Sequence, residues 1–297
     1  MRFIGLSFDN NSIIIRKYKL KGGEMSIITI SRGSYSRGKE VAEKLAKRLG
    51  YECLSREVLL EASDEFNIPE IKLIRALHDS TSVLERFTLG RERYISYIYS
   101  TLLQHVRKDN VVYHGLAGHF FLAKIPHVLK VRVIADMQDR VNEEMRRENI
   151  SAEKALDILK KDDDERRKWS LQMYGSDPWD SRLYDIILHI GKLTVDDAVD
   201  ILFNIAQKPN YQSTHESRKM VEDFSLSAKV KTGLFHLATK IQIEADNGKV
   251  LIDLVDDIQA IKNKEEIKKL ALKMEGVKTV VIRGEQHSHV NPFQNID

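Results

Sequence analysis

The sequence predicts an α/β fold, with a parallel sheet covered by helices on both faces, followed by a small C-terminal α+β domain. Three observations predict it. Short apolar, β-branched runs alternate with stretches of helical periodicity from residue 25 to residue 207. A glycine-containing turn joins the first such run to the first helical stretch. Beyond a polar segment, 208–217, the pattern changes to helix, hairpin, helix and strand.

Ser26-Ile27-Ile28-Thr29-Ile30-Ser31 is short, apolar and β-branched, so it reads as a buried strand. After the turn, Val41, Leu45, Ala46 and Leu49 recur at helical spacing, and Gly50 supplies a helix stop. Further strands are expected at 110–114, 129–134 and 184–190, with helices at 91–108, 137–149, 151–169 and 194–207. Strands separated by helices are joined by crossovers rather than hairpins, which makes them parallel. Residues 208–217 are polar, contain Pro209 and read as a linker. The second domain spans 218–285: a helix near 218–239, a strand at 241–245, Asn247-Gly248 as a tight turn, a strand at 250–254, a helix near 264–274 and a strand at 277–282. Residues 286–297, with His287 and His289, read as a flexible tail. Residues 1–24 read as an added hairpin turning at Asp9-Asn10-Asn11, or as an extension upstream of a start at Met25.

The totals narrow the function classes. The 297 residues are 31% charged and 42% apolar, enough to bury a real core. The net charge of +3, from 47 basic and 44 acidic side chains, is too near balance to argue for nucleic acid. A single cysteine, Cys53, rules out an intramolecular disulfide and suits a reducing cytoplasm; it is expected as a buried apolar residue. No apolar run approaches the roughly 18 residues of a membrane-spanning helix, and the N-terminus lacks the apolar core of a signal peptide.

The chemistry is carried by Gly33-Ser34-Tyr35-Ser36-Arg37-Gly38-Lys39, which has the spacing G-x-x-x-x-G-K between a strand and a helix. Glycines let the backbone fold round a phosphate, whose charge is drawn to the exposed N–H groups and the helix N-terminus. Lys39 would reach the outer phosphates. Glu40 stands where a Ser or Thr hydroxyl would bind Mg²⁺. The fold class is therefore a P-loop NTPase-type sheet. A second feature is a set of arginines, Arg140, Arg146 and Arg147 on one helical stretch and Arg166 and Arg167 on the next. Phosphoryl transfer uses such movable cations, because its catalysis is mostly positioning and charge neutralisation. The bland alternative is a solvated face balanced by Asp162, Asp163, Asp164 and Glu165.

Together these residues resemble the cytidylate-kinase-like family of P-loop nucleotide kinases, whose pattern opens I-T-I-S-R-E-Y-G-S-G-G-R-E-I-A-E-K-L-A. This chain reads Ile28-Thr29-Ile30-Ser31-Arg32-Gly33-Ser34-Tyr35-Ser36-Arg37-Gly38-Lys39-Glu40-Val41-Ala42-Glu43-Lys44-Leu45-Ala46. Glu40 is then a family trait, while Tyr35 and Arg37 stand where the family has glycine. The resemblance continues through Tyr51 to Leu59, Val111 to Gly118, Val131 to Ala135, Asp139-Arg140, Arg147 to Ser151, Asp164 to Arg167, Trp179-Asp180 and Tyr184-Asp185. It implies ATP and Mg²⁺ as cofactors, and transfer of the γ-phosphoryl group to a nucleoside monophosphate of CMP type or a related small acceptor. It implies a nucleotide loop of Gly33 to Glu40, with Arg140 near adenine and phosphates. Lys39, Arg147, Arg166 and Arg167 would act on the transferred group, and Arg56 and Asp185 would lie on the acceptor side. Leu116 replaces a family arginine that contacts nucleotide. Residues 218–283 resemble a BON domain, through the long helix, Asn247-Gly248-Lys249-Val250 and Met274 to Val280. That implies a module that binds a ligand or mediates self-association. The alternative to an enzyme is a catalytically weak nucleotide-binding regulatory module coupled to that domain.

Other candidates weigh less. His114, His119 and His127 have no nearby Cys or Asp to complete a metal set, so no metal site is expected and the three read as satisfied or exposed histidines. Trp169 and Trp179 flank Tyr174 and read as packing residues of a lid.

Overall fold

The computed structural model describes residues 26–34, 36–55, 57–69, 73, 88–238, 240–254 and 258–284. The proposed N-terminal hairpin, the C-terminal tail, Tyr35 and Arg56 lie outside the described residues.

Five strands form the first sheet: β1 (Ile27–Arg32), β2 (Glu52–Leu54), β3 (Val111–Tyr113), β4 (Val128–Ala135) and β5 (Ile186–Ile190). Their order is β2-β3-β1-β4-β5, and every neighbouring pair is parallel. Successive side chains on a strand point to opposite faces, so Ile27 and Ile28 enter different cores. That is why β1 carries isoleucine at the successive positions 27 and 28 rather than alternating there. On one face, α1 (Gly38–Leu49) and α7 (Val195–Ala206) bury Val41, Leu45 and Leu202 against Ile28, Ile30, Leu129 and Val131. On the other, α2 (Glu57–Glu65) and α3 (Thr88–Val106) bring Val58, Ile98 and Leu102 onto Ile27, Val111 and Val128. The short α4 (Gly118–Phe121) follows β3 directly. Between β4 and β5, α5 (Met137–Glu148) and α6 (Ala152–Tyr174) pack on each other through Val141, Ala155 and Leu159.

The second sheet, β6 (Ile241–Asp246), β7 (Lys249–Leu254) and β8 (Thr279–Arg283), has the order β6-β7-β8. Asn247 at φ 55° and Gly248 at φ 85° make the hairpin turn, as two positive φ angles allow. The helices α8 (His215–Leu234), α9 (Ile258–Lys262) and α10 (Lys264–Leu272) cover it. The long α8 is shared: Val221 and Ala228 belong to the first domain's core, while Val230 and Leu234 belong to the second. Tyr97 on α3 stacks on Phe66 and meets Phe235 edge-on at 5.7 Å.

The structure differs from expectation mainly at element ends. The helix expected near 218–239 spans His215–Leu234, because Thr214 and Ser217 form a capping box at its start. The helix expected at 151–169 runs on to Tyr174, where Gly175 at φ 62° ends it in a left-handed cap. Among the described residues, no helix is long and apolar enough to cross a membrane.

Candidate functional site

The candidate site lies where β1, β3 and β4 end, the edge of a parallel sheet at which ligands bind. The glycine loop begins as β1 ends. Gly38 opens α1 and is required there, because a Cβ would lie 2.7 Å from Cβ of Arg32. Arg37 precedes it in the left-handed region at φ 60° and supplies no side-chain cap, so it leaves the first N–H groups of α1 to other acceptors. Within the loop, the Ser36 hydroxyl donates to the Gly33 carbonyl at 3.0 Å.

Two helices hold this loop from outside. The Ser34 hydroxyl donates to Asp162 at 3.1 Å. Arg140 donates through Nε to the Ser34 carbonyl at 2.7 Å and through both terminal nitrogens to Asp163 at 2.8 and 2.9 Å. A side chain at Gly33 would meet that guanidinium at 3.5 Å. Arg140 is buried and bound to the loop that the resemblance assigns to the nucleotide phosphates.

The other residues singled out in the sequence are distributed as follows. Lys39 stands on the first turn of α1, 65% exposed, with Glu43 at 3.6 Å. Glu40 pairs with Lys44 at 3.2 Å and Arg37 at 3.7 Å. Arg147 is exposed on α5, with Glu148 at 3.5 Å. Arg167 binds Asp177 at 2.7 Å and lies 4.8 Å from the Trp179 ring centroid. Asp185 accepts from the backbone N–H of Lys130 at 2.8 Å and pairs with its ammonium, so it stitches β5 to β4 and lies outside the cavity described next. Arg166 donates to the Arg32 carbonyl at 3.2 Å and faces that cavity.

The cavity, of about 480 Å³, opens beside Gly33. Arg32, Arg132 and Arg166 line it; burial pushes the ionisation of Arg32 and Arg166 down, Arg166 adding to the shift at Arg32, while Asp162 and Asp163 oppose it at Arg166 ahead of the repulsion from Arg140 and Arg132. Arg132 donates to the Tyr184 hydroxyl at 3.2 Å, and that hydroxyl donates to the Pro178 carbonyl at 2.9 Å. Trp169, Trp179 and Leu116 supply apolar wall. Sequence reasoning missed Arg32 and Arg132. Their signal was available in each case as an arginine within or ending an otherwise apolar parallel strand.

His114 and His119 also line this cavity, and both are buried. Neither His114 Nδ1 nor His119 Nε2 has a hydrogen-bond partner, so these rings are not the satisfied or exposed histidines expected. His127 bonds Asp109 through Nε2 at 3.1 Å, while its Nδ1 is also buried without a partner. Burial and Arg32 push His114 down to about 4, and burial and Arg132 push His119 down to about 3, from an ordinary 6.5. Both rings are thus neutral in the folded protein at pH values where an unfolded chain protonates them. The unfolded state binds more protons in that window, so stability falls as pH drops from about 6.5 towards about 4. The melting midpoint is expected to follow, and His119→Asn is expected to flatten the slope; an unchanged slope would count against a neutral buried His119.

Cys53 is half-buried, and burial pushes its thiol up to about 11, away from reactivity. Among the described residues, no three His, Cys, Asp or Glu side chains gather in a way that would hold a metal.

The fold and site define a P-loop kinase-like α/β protein. The model of the cytidylate kinase-like family matches residues 27–192, more than half of the chain, and the chain belongs to that family. No curated protein matches it. Similar solved structures include an uncharacterized protein from Eubacterium ventriosum, at 25% identity and TM-score 0.48, covering 62% of this chain and 99% of that one. A shikimate kinase from Bacteroides thetaiotaomicron matches at 11% identity and TM-score 0.40, covering 62% and 99%. A dephospho-CoA kinase from Campylobacter jejuni matches at 16% identity and TM-score 0.33, covering 61% and 97%.

Proposed function

We propose that the protein is a phosphotransferase that moves the γ-phosphoryl group of ATP to a nucleoside monophosphate of CMP type or a related small acceptor. The observation that carries this reading is the arginine-lined cavity opening beside the glycine loop, at the same edge of the sheet. The loop from Gly33 to Glu40 would receive the nucleotide phosphates on its N–H groups and the start of α1. Lys39 would leave Glu43 for the outer phosphate oxygens. Arg166 would neutralise developing charge from the cavity side, with Arg147 and Arg167 closing from their more exposed positions. Ser55 lines the cavity, which supports an acceptor role for the adjacent Arg56. Asp185 is proposed to support the acceptor side through β4 rather than by contact.

The residues present fit Mg²⁺ only as a phosphate-held ion. Glu40 is the nearest loop carboxylate, and Mg²⁺ in such sites takes one or two carboxylates with water and substrate oxygens. When bound, it supplies charge neutralisation at the phosphates. The unit beyond residue 217 is proposed to be the BON-like domain, binding a ligand or mediating self-association. The single free cysteine supports a cytoplasmic location.

One observation favours the regulatory reading instead. Among the described residues, Asp163 is the sole carboxylate lining the cavity, and it is tied to Arg140, so no free carboxylate faces an acceptor. Incubation of the purified protein with Mg·ATP and a panel of nucleoside monophosphates separates the two. Acceptor-dependent ADP formation is the expected result. ATP binding without turnover would replace the enzyme by the sensor, and absence of both would sink the nucleotide reading.

A further inference from the structure

The helix α6 reaches the start of the glycine loop with one of its faces. Asp162 and Arg166 are four residues apart, so they lie one above the other on it, with Asp163 alongside. Asp162 accepts from the Ser34 hydroxyl at 3.1 Å. Asp163 reaches the Ser34 carbonyl through Arg140, and Arg166 donates to the Arg32 carbonyl at 3.2 Å. Ser34 is 6% exposed beneath these contacts. The first residues of a loop that is to receive phosphates are therefore covered.

The contacts differ in charge. Arg140 brings a cation and fixes the backbone. Asp162 brings an anion to a loop whose helix N-terminus, left without a side-chain cap, attracts anions. The same carboxylate acts on Arg166. Burial pushes the ionisation of Arg166 down, and Asp162 is the foremost charge opposing that, ahead of Asp163. One carboxylate thus accepts from a loop hydroxyl and balances the arginine that would neutralise a transferred phosphoryl group. Those are two tasks of a phosphate oxygen. The loop does not depend on Asp162 for its shape. Arg140 holds the Ser34 carbonyl at 2.7 Å, and the Ser36 hydroxyl closes onto the Gly33 carbonyl at 3.0 Å.

We infer that Asp162 is a resident substitute for a phosphate oxygen, an autoinhibitory latch that an incoming nucleoside triphosphate displaces from Ser34 and Arg166. The latch rests on the phosphotransferase reading only in taking the ligand of the glycine loop to be ATP. A triphosphate and the Asp162 carboxylate are both anions, so they compete for one hydroxyl and one guanidinium. Binding draws on the fraction of molecules in which Asp162 has let go, and the apparent affinity is lowered by that fraction. Displacement hands Arg166 from an internal carboxylate to the phosphates.

The chain contains two tryptophans, Trp169 on α6 and Trp179 a few residues beyond it. Intrinsic fluorescence of the full chain therefore follows α6 as Mg·ATP is titrated in, at equilibrium and by stopped flow. Asp162→Asn keeps an acceptor for Ser34 and removes the charge; it is expected to bind Mg·ATP about fivefold to tenfold more tightly than the wild type. Most of the gain is expected in the association rate, because the unlatched fraction is what the nucleotide meets. Asp162→Ala removes the acceptor as well, suits a helix interior, and is expected to gain at least as much. Asp164→Asn makes the same charge change at an exposed position of α6, and is expected to stay within about twofold of the wild type. A cooperative melt for each variant shows that it folds, and either Asp162 variant carries the test if the other does not. Asp162 variants that bind Mg·ATP as the wild type does, or more weakly, overturn the latch and leave the nucleotide reading standing. An equal gain in Asp164→Asn also overturns it, since the effect would then belong to net charge alone. If neither the wild type nor any variant binds Mg·ATP, the nucleotide reading fails and the latch fails with it.

Discussion

Lys39→Ala is expected to lower acceptor-dependent ADP formation by about 10²–10³-fold, the usual cost of losing one preorganised donor at a developing charge. The same change is expected to leave stability within about 0.5 kcal/mol, as for surface substitutions remote from packing. The two halves follow from one observation. The Lys39 side chain is 65% exposed, and its ion pair with Glu43, itself 54% exposed, spans 3.6 Å. Such pairs contribute about 0–1 kcal/mol and hold neither partner firmly. Nothing in the fold depends on this ammonium, yet it stands on the first turn of a helix whose N-terminus faces the glycine loop. It is therefore free to turn onto phosphate oxygens when a nucleotide arrives. Steady-state kinetics and a thermal melt on the same preparation check both halves. Turnover unchanged in the mutant would remove the loop from the reaction. Loss of turnover together with a large drop in melting midpoint would mean that Lys39 supports the fold, contrary to its exposure.

Much of the fold was legible because a parallel sheet buried on both faces demands unbroken apolar strands. Ile27, Ile28 and Ile30 in β1 and Leu129, Val131, Val133 and Ile134 in β4 come close to that demand, with Thr29, Lys130 and Arg132 as the polar exceptions, and the alternation with helical periods gave the parallel topology. Asn247-Gly248 was legible for a local reason, as a turn that needs two positive φ angles. The strand β2 was not, since three residues, Glu-Cys-Leu, carry no period. The site was half legible. The glycine loop is a local device and its spacing shows in the chain. The cavity is not local: it forms because strand order places the ends of β1, β3 and β4 side by side, and no spacing links Arg32, His114 and Arg132. Nothing in the sequence near His114 and His119 marks them, because the informative property, burial with a ring nitrogen unpartnered, exists only in the fold. The acidic run from Asp162 to Glu165 reads in the sequence as a solvated counterweight to the arginines; for Arg140 the counter-ion is indeed in that run, but Asp163 is largely buried and holds the loop.

That ion pair leads to the largest expected effect on stability. Arg140→Met is expected to cost about 3–5 kcal/mol, the range for removing one partner of a buried pair. The side chains of Arg140 and Asp163 are 9% and 16% exposed, so the carboxylate left behind has little access to water. The Ser34 carbonyl loses its donor at the same time. Arg140→Lys is expected to recover only part of the loss, because one ammonium cannot span both Asp163 oxygens and the carbonyl as the planar fork does. The double variant Arg140→Met/Asp163→Leu separates the contributions. With no charge left unpaired it is expected to be more stable than Arg140→Met alone, a non-additivity that denaturant unfolding measures directly. Its nucleotide affinity is expected to stay low, because the glycine loop is still missing the guanidinium over Gly33 and the tie to Ser34. A double variant that binds nucleotide like the wild type would show that the pair serves stability alone. Single variants each costing under about 1 kcal/mol would show that solvent reaches Asp163 and that the loop is held by other means.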